Sequence, residues 1–328
     1  MRRRSIIIAG LAGFFLASER SFAQQPSGQI PRVGVLSPAD TDKAVTLQAF
    51  KEGLRQLGYV EGRNILLEFR LAQGDSSLLP RLAEELVRLP VDAILVDGGP
   101  GVVRIVMQLT DRIPIVSAVG GDPVVTKVVT NLAHPGGNVT GFTLGHSELN
   151  GKRLEMLRAA FPGISTVAAL VNSSNANAKE YLEEIGDAAR SMGVQKIVPI
   201  EVADLNELHS LKPVAFTGAD GVVVLPDAVF WNHRGEIVAL MDAVRLPAIY
   251  PEREYAEDGG LMGYGANAPD NFRRAAEYVD RILKGAKPGD LPIQEPVKFD
   301  FMINLKTAKA LGLTIPPSVL SRADEVIE

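Results

Sequence analysis

The sequence predicts an α/β fold of two lobes, each built on a parallel sheet, and three observations carry that prediction. Short β-branched runs alternate with longer stretches of helical spacing from Pro31 to the C-terminus. The same alternation starts afresh near residue 166, where a strand leads into Asn172-Ser173-Ser174-Asn175, just as the first strand leads into Ser37-Pro38-Ala39-Asp40. The chain has 328 residues, 46% of them hydrophobic, which is enough for two domains with cores of their own.

Taken in order, 32–36 reads as a buried strand and 41–57 as a helix whose Leu47, Phe50, Leu54 and Leu57 share one face, with Gly58 closing it. Strand 64–69, helix 77–88, strand 93–97, helix 102–109 and strands 114–118 and 139–142 complete a first series. The Gly/Pro-rich stretch around Ala133-His134-Pro135-Gly136-Gly137-Asn138 marks the changeover, and it suits a compact hinge better than a flexible tether. After a helix over 151–160, the second series runs through strand 166–171, helix 178–192, strands 195–200 and 221–225, helix 235–244 and strands at 248–250 and 261–264. Helix 271–283, strand 297–303 and helix 305–311 close the chain.

The N-terminus reads as an export signal. Arg2, Arg3 and Arg4 precede an apolar run from Ile6 to Leu16, too short to span a bilayer, and Ser21-Phe22-Ala23 offers small residues for cleavage after Ala23. Residues 1–23 are therefore expected to be a cleaved signal peptide, with Arg3-Arg4-Ser5-Ile6-Ile7 a partial match to the twin-arginine route. Cleavage would leave 30 basic against 38 acidic residues, a net charge of −8 in place of −5. That balance lacks the basic excess of a nucleic-acid binder, and the absence of cysteine removes disulfides, thiol nucleophiles, iron–sulfur clusters and Cys-ligated zinc. His134, His146, His209 and His233 show no i, i+4 pairing, so no metal site is expected, and neither a G-x-S-x-G elbow nor a P-loop occurs. No cofactor and no catalytic residue is expected.

Ligands of open parallel sheets sit beyond the carboxyl ends of strands, where helix N-termini offer unpaired N–H groups. Gly99 and Gly101, in Asp97-Gly98-Gly99-Pro100-Gly101, fit a ligand carboxylate or a plain tight turn; Arg104 stands where a dinucleotide loop needs a third small residue. Asp122, in Gly120-Gly121-Asp122-Pro123, is either the partner of a ligand ammonium or a helix N-cap. Ser37 and Asp40 carry the same ambiguity. Asn172, Asn175 and Asn177 are either uncharged ligand contacts or turn residues, and Asp227, Tyr264 and Gly265 end further strands.

Several motifs carry a resemblance over residues 31–328. They are Phe50-Lys51-Glu52-Gly53-Leu54 with Leu57-Gly58-Tyr59, Gly121-Asp122-Pro123-Val124, Pro135-Gly136-Gly137-Asn138-Val139-Thr140-Gly141, Gly259-Gly260-Leu261-Met262-x-Tyr264-Gly265, and Asn304-Leu305-Lys306-Thr307-Ala308. On these the chain resembles the substrate-binding proteins of bacterial ABC transporters, in the group that binds tryptophan and other aromatic amino acids. The resemblance implies a type I periplasmic binding fold, two Rossmann-like lobes joined by a three-crossing hinge. It places 30–143 with 268–297 in the N-terminal lobe and 144–267 with 298–328 in the C-terminal lobe. Asp122, Tyr264 and Gly265 fall inside family motifs, whereas Ser173 and Ala176 stand where the family carries prolines. The implied function is a periplasmic, monomeric, non-enzymatic solute-binding component of an ABC importer, trapping a small polar ligand such as an amino acid and delivering it to permease subunits. A ligand-presenting protein for a membrane receptor, or a secreted hydrolase on the same scaffold, are the alternatives.

Overall fold

The computed structural model describes residues 30–39, 41–118, 124 and 126–328, without the side chains of 146–148. The expected signal peptide, Asp40 and Asp122 lie outside the described residues.

The first sheet is wholly parallel, in the order β2-β1-β3-β4-β5, from β1 (Arg32–Ser37), β2 (Leu66–Leu71), β3 (Ala93–Val96), β4 (Ile115–Ser117) and β5 (Val139–Gly141). Around it lie α1 (Val45–Gln56), α2 (Leu79–Arg88) and α3 (Pro100–Leu109). β3 is buried at every residue, which is why it reads as an unbroken apolar run without alternation. Two apolar layers flank this sheet, one holding Phe50, Leu95 and Phe272 and the other Leu86, Ile94 and Val106.

The second half begins with α4 (His146–Ala160), β6 (Thr166–Asn172), α5 (Ala178–Met192), β7 (Lys196–Val202), α6 (Leu205–Ser210) and β8 (Gly221–Val224). It continues with α7 (Ala228–Asn232), α8 (Arg234–Val244), β9 (Ala248–Tyr250), α9 (Glu254–Glu257) and β10 (Met262–Ala266). The chain then runs through α10 (Ala268–Leu283), β11 (Phe299–Asn304), α11 (Leu305–Leu311), α12 (Pro317–Leu320) and β12 (Glu325–Ile327). The sheet order is β12-β11-β10-β9-β8-β6-β7.

All pairings in this second sheet are parallel except β10 with β11. The exception follows from the path of the chain. β10 leaves the sheet at Ala266, α10 packs on α1 of the first half, and the chain re-enters at Phe299 directly opposite Ala266. Entering where its neighbour left, β11 must run the other way.

Helix α4 starts five residues earlier than the 151 expected from the sequence. Gly151 lies where α4 meets α5: a Cβ there would stand 3.1 Å from the Ala188 Cβ, and its N–H donates to Glu184 Oε1 at 3.1 Å. The short α6, α7, α9 and α12 and the terminal β12 were not expected from the sequence. Helix α6 is held by its cap, with Asp204 accepting from the Glu207 N–H and Glu207 accepting from the Ala203 N–H.

Three segments cross between the halves, side by side. The Thr143 N–H donates to the Gln294 carbonyl and Asn271 Nδ2 to the Thr143 carbonyl, both at 2.9 Å, and the Asn267 N–H donates to the Lys298 carbonyl at 2.9 Å. The two lobes and three-stranded hinge expected from the sequence are therefore present.

Candidate functional site

Two of the crossings leave from strand carboxyl ends, β5 into α4 and β10 into α10. The carboxyl ends of both sheets consequently border the hinge, and the side chains carried there form the candidate site.

On the first sheet, β1 ends on Ser37 and β3 leads into Asp97. The buried Ser37 hydroxyl donates to Asp97 Oδ2 at 2.6 Å and accepts the Ala39 N–H at 3.1 Å. Asp97 sits in surroundings poor in water, which push its carboxyl up to about 6 against the opposing pull of the Ser37 hydrogen bond. Two residues on, Gly99 caps α3 in an extended conformation and Pro100 occupies the first turn, with no side chain among the described residues capping that end. Among the described residues nothing stands where Cβ atoms of Gly99 and Gly101 would be. A carboxylate and an electropositive helix end thus lie within five residues of one another.

Against the second sheet, the largest fully buried side chain among the described residues is Arg153 of α4, with no exposed surface. Its Nε donates to the Tyr264 carbonyl at 2.8 Å, one terminal nitrogen to Asn150 Oδ1 at 2.7 Å and the other to the Pro251 carbonyl at 3.0 Å. Asn150 in turn donates to Glu184 Oε2 at 2.8 Å. Burial pulls the Arg153 guanidinium down from its ordinary value, while Glu252 and Glu184 act in the opposite sense. Burial likewise pushes the Glu252 carboxyl, beyond the end of β9, up to about 8, with Arg153 holding it back. Tyr181 is pushed up to about 12 by the same cause.

The amide residues singled out in the sequence come together but are turned towards one another. Asn172 Nδ2 donates to Asp227 Oδ1 at 3.1 Å and Asn175 Nδ2 to Asp227 Oδ2 at 2.8 Å. Asp227 also caps α7 through the Val229 and Phe230 N–H groups. Asn177 Nδ2 donates to the Tyr181 hydroxyl at 3.2 Å, while its buried Oδ1 has no hydrogen-bond partner. Tyr264 lies within β10, its ring stacked on Phe299 at 6.1 Å. A Cβ on Gly265 would stand 2.0 Å from the Pro251 carbonyl oxygen, so this glycine permits a close backbone approach beside the Arg153 anchor.

Sequence reasoning passed over Asp97 as a ligand group, and Arg153 and Glu252 altogether. The signal for Arg153 was present: it falls on the stripe Leu149, Met156, Leu157 and Ala160, a charge at a core position of an amphipathic helix. A groove of about 230 Å³ between β6, β7 and the turn at 215–219 opens by Thr166 and Lys196, the first residues of their strands, away from the carboxyl ends.

Residues 32–327 match the family model described as ABC transporter substrate binding protein. A tyrosine-binding protein of Clostridioides difficile is 25% identical over 266 residues, 81% of this chain and 76% of that protein. Among solved structures, the ABC domain in complex with L-Trp from Streptococcus pneumonia superposes with a TM-score of 0.81 at 27% identity, covering 91% of this chain and all of that one. A conserved domain protein from Vibrio cholerae gives 0.80 at 26%, with the same coverage.

Proposed function

The chain belongs to the family of ABC transporter substrate-binding proteins, and on that premise we propose that it is the solute-binding component of an importer, taking an α-amino acid between its lobes. The observation that carries this reading is the pairing of the Asp97 carboxylate with the amino end of α3, which no described side chain caps. The two match the ammonium and carboxylate of one amino acid. The tyrosine-binding relative and the L-Trp complex support the same ligand class.

In this reading Asp97 faces the ammonium, Asp122 is a second candidate partner for it from the sequence alone, and Gly99 and Gly101 admit the ligand carboxylate to the amino end of α3. Ser37 orients Asp97. From the other lobe, Asn177 offers its unpartnered amide oxygen, and Asn172, Asn175, Asp227, Tyr264 and Gly265 hold the wall in shape; Asp40 remains a candidate contact from the sequence alone. The lobes, 30–143 with 268–297 and 144–267 with 298–328, close by rotation at the three crossings, because contacts from both sides favour the closed state. Binding without turnover, one copy per ligand, and delivery to permease subunits at the membrane complete the proposal, with no nucleic acid involved. Export fits residues 1–23, and no helix among the described residues is long and apolar enough to cross a membrane.

The test is a melting screen of the purified chain against the protein amino acids. A ligand at a hundredfold excess over its Kd adds about 2.7 kcal/mol of stability. Selective stabilisation by one or a few amino acids is expected; a flat response across the set would remove the proposal.

A further inference from the structure

The fold brings together two histidines that are 24 positions apart in the chain, on the surface of the second lobe. His209 lies in the last turn of α6 and His233 between α7 and α8, with Glu236 in the first turn of α8. Glu236 Oε2 lies 2.9 Å from His209 Nε2 and Oε1 2.9 Å from His233 Nδ1, and one ligand atom from each residue falls within 4.8 Å of the others. The two rings meet edge to face at 6.2 Å. The side chains are 30–50% exposed, so an ion can reach them from solvent.

From this geometry we propose that His209, His233 and Glu236 form a binding site for one divalent ion of the Zn²⁺ class, with water completing its coordination. Two imidazoles and a carboxylate are a donor set for zinc, copper or nickel and a poor one for magnesium or calcium, which take oxygen ligands. At metal–ligand distances of about 2.0–2.2 Å, tetrahedral geometry sets neighbouring ligand atoms about 3.3–3.6 Å apart. The present 2.9 Å contacts and 4.8 Å limit reach that spacing through side-chain movement alone. On binding, His209 carries its proton on Nδ1 and His233 on Nε2, so that the nitrogens now facing Glu236 present lone pairs to the ion. The ion would tie α6 to α8 and, through His233, to the helix that Asp227 caps.

The test uses the untagged full chain, stripped with chelator and titrated with Zn²⁺ alone by calorimetry, with Mg²⁺ in parallel. One Zn²⁺ per chain is expected, with a melting temperature raised by at least about 3 °C. His209→Ala and His233→Ala should each weaken binding at least about tenfold, while Mg²⁺ gives no response. On the unmodified protein, imidazole NMR should show two of the four histidines moving with Zn²⁺, a readout that does not depend on how the variants fold. No Zn²⁺ binding at 100 µM (about the lowest useful affinity for such a site), unchanged affinity in both variants, or equal affinity for Mg²⁺ would overturn the site.

Discussion

Replacing Arg153 with alanine should destabilise the second lobe severely, and the structure sets the scale. The substitution strands three acceptors, the Tyr264 and Pro251 carbonyls and Asn150 Oδ1, and removes the positive charge beside Glu252 and Glu184. A buried acceptor left without a donor costs about 1–3 kcal/mol, and three are left here. These losses overlap, so about 4 kcal/mol is the reasonable total, a fall in Tm of roughly 10 °C for a lobe of this size. Urea unfolding followed by circular dichroism reads the change directly. Arg153→Lys keeps the charge but cannot reach all three acceptors, so it should fall between wild type and alanine. A loss below about 1 kcal/mol in Arg153→Ala, or a lysine variant no better than alanine, would refute the view that this guanidinium is the second lobe's internal anchor.

Asp97 gives a prediction with a definite sign. Its folded pKa is raised above the unfolded value, so the folded state binds the extra proton and stability falls as pH rises from about 4 through about 6. Asp97→Asn should therefore raise apo stability at pH 7 by about 2 kcal/mol while abolishing affinity for an amino acid; a less stable variant would contradict the first half, and unchanged affinity the second. Gly265→Ala drives a Cβ into the Pro251 carbonyl and should cost at least about 3 kcal/mol in chemical denaturation, whereas a neutral result would mean that β10 yields freely there. Asn172→Ala should weaken the Asp227 loop by about 1 kcal/mol in Tm-derived stability, since one of two amide donors to that carboxylate remains; a change of tens of degrees would assign it a larger structural part than its hydrogen bonds show.

The sheet framework was legible because its central strands are buried on both faces and so appear as short β-branched runs, as in Ala93–Val96 and Gly221–Val224. The exchange of chain between lobes was legible only through the family motifs, since nothing local in helix 271–283 says that it packs on a helix two hundred residues earlier. The antiparallel β11 was hidden for the same reason: its direction is set by where the hinge returns it. Short helices such as Ala228–Asn232 span too little sequence to show a period.

The candidate site was legible at the level of loops. Strand ends identified Ser37, Gly99 and Gly101, but their chemistry depends on Asp97, whose environment is made by a neighbouring strand. Asn172, Asn175 and Asn177 were legible as one loop and Asp227 as the end of another strand, and only the structure shows Asn172 and Asn175 spending their amides on Asp227. Arg153 and Glu252 are 99 positions apart, and no motif links them.

Ligand recognition by opposed charges is tested most directly by calorimetric titration of the protein with the amino acid that stabilises it best, beside the N-acetyl and carboxamide forms of the same compound. One-to-one binding of the free amino acid is expected, with each blocked form weaker by at least about a hundredfold, since each leaves one charged partner unmet. Equal affinity for the N-acetylated compound would contradict the role given to Asp97, and no binding of any amino acid would contradict the function.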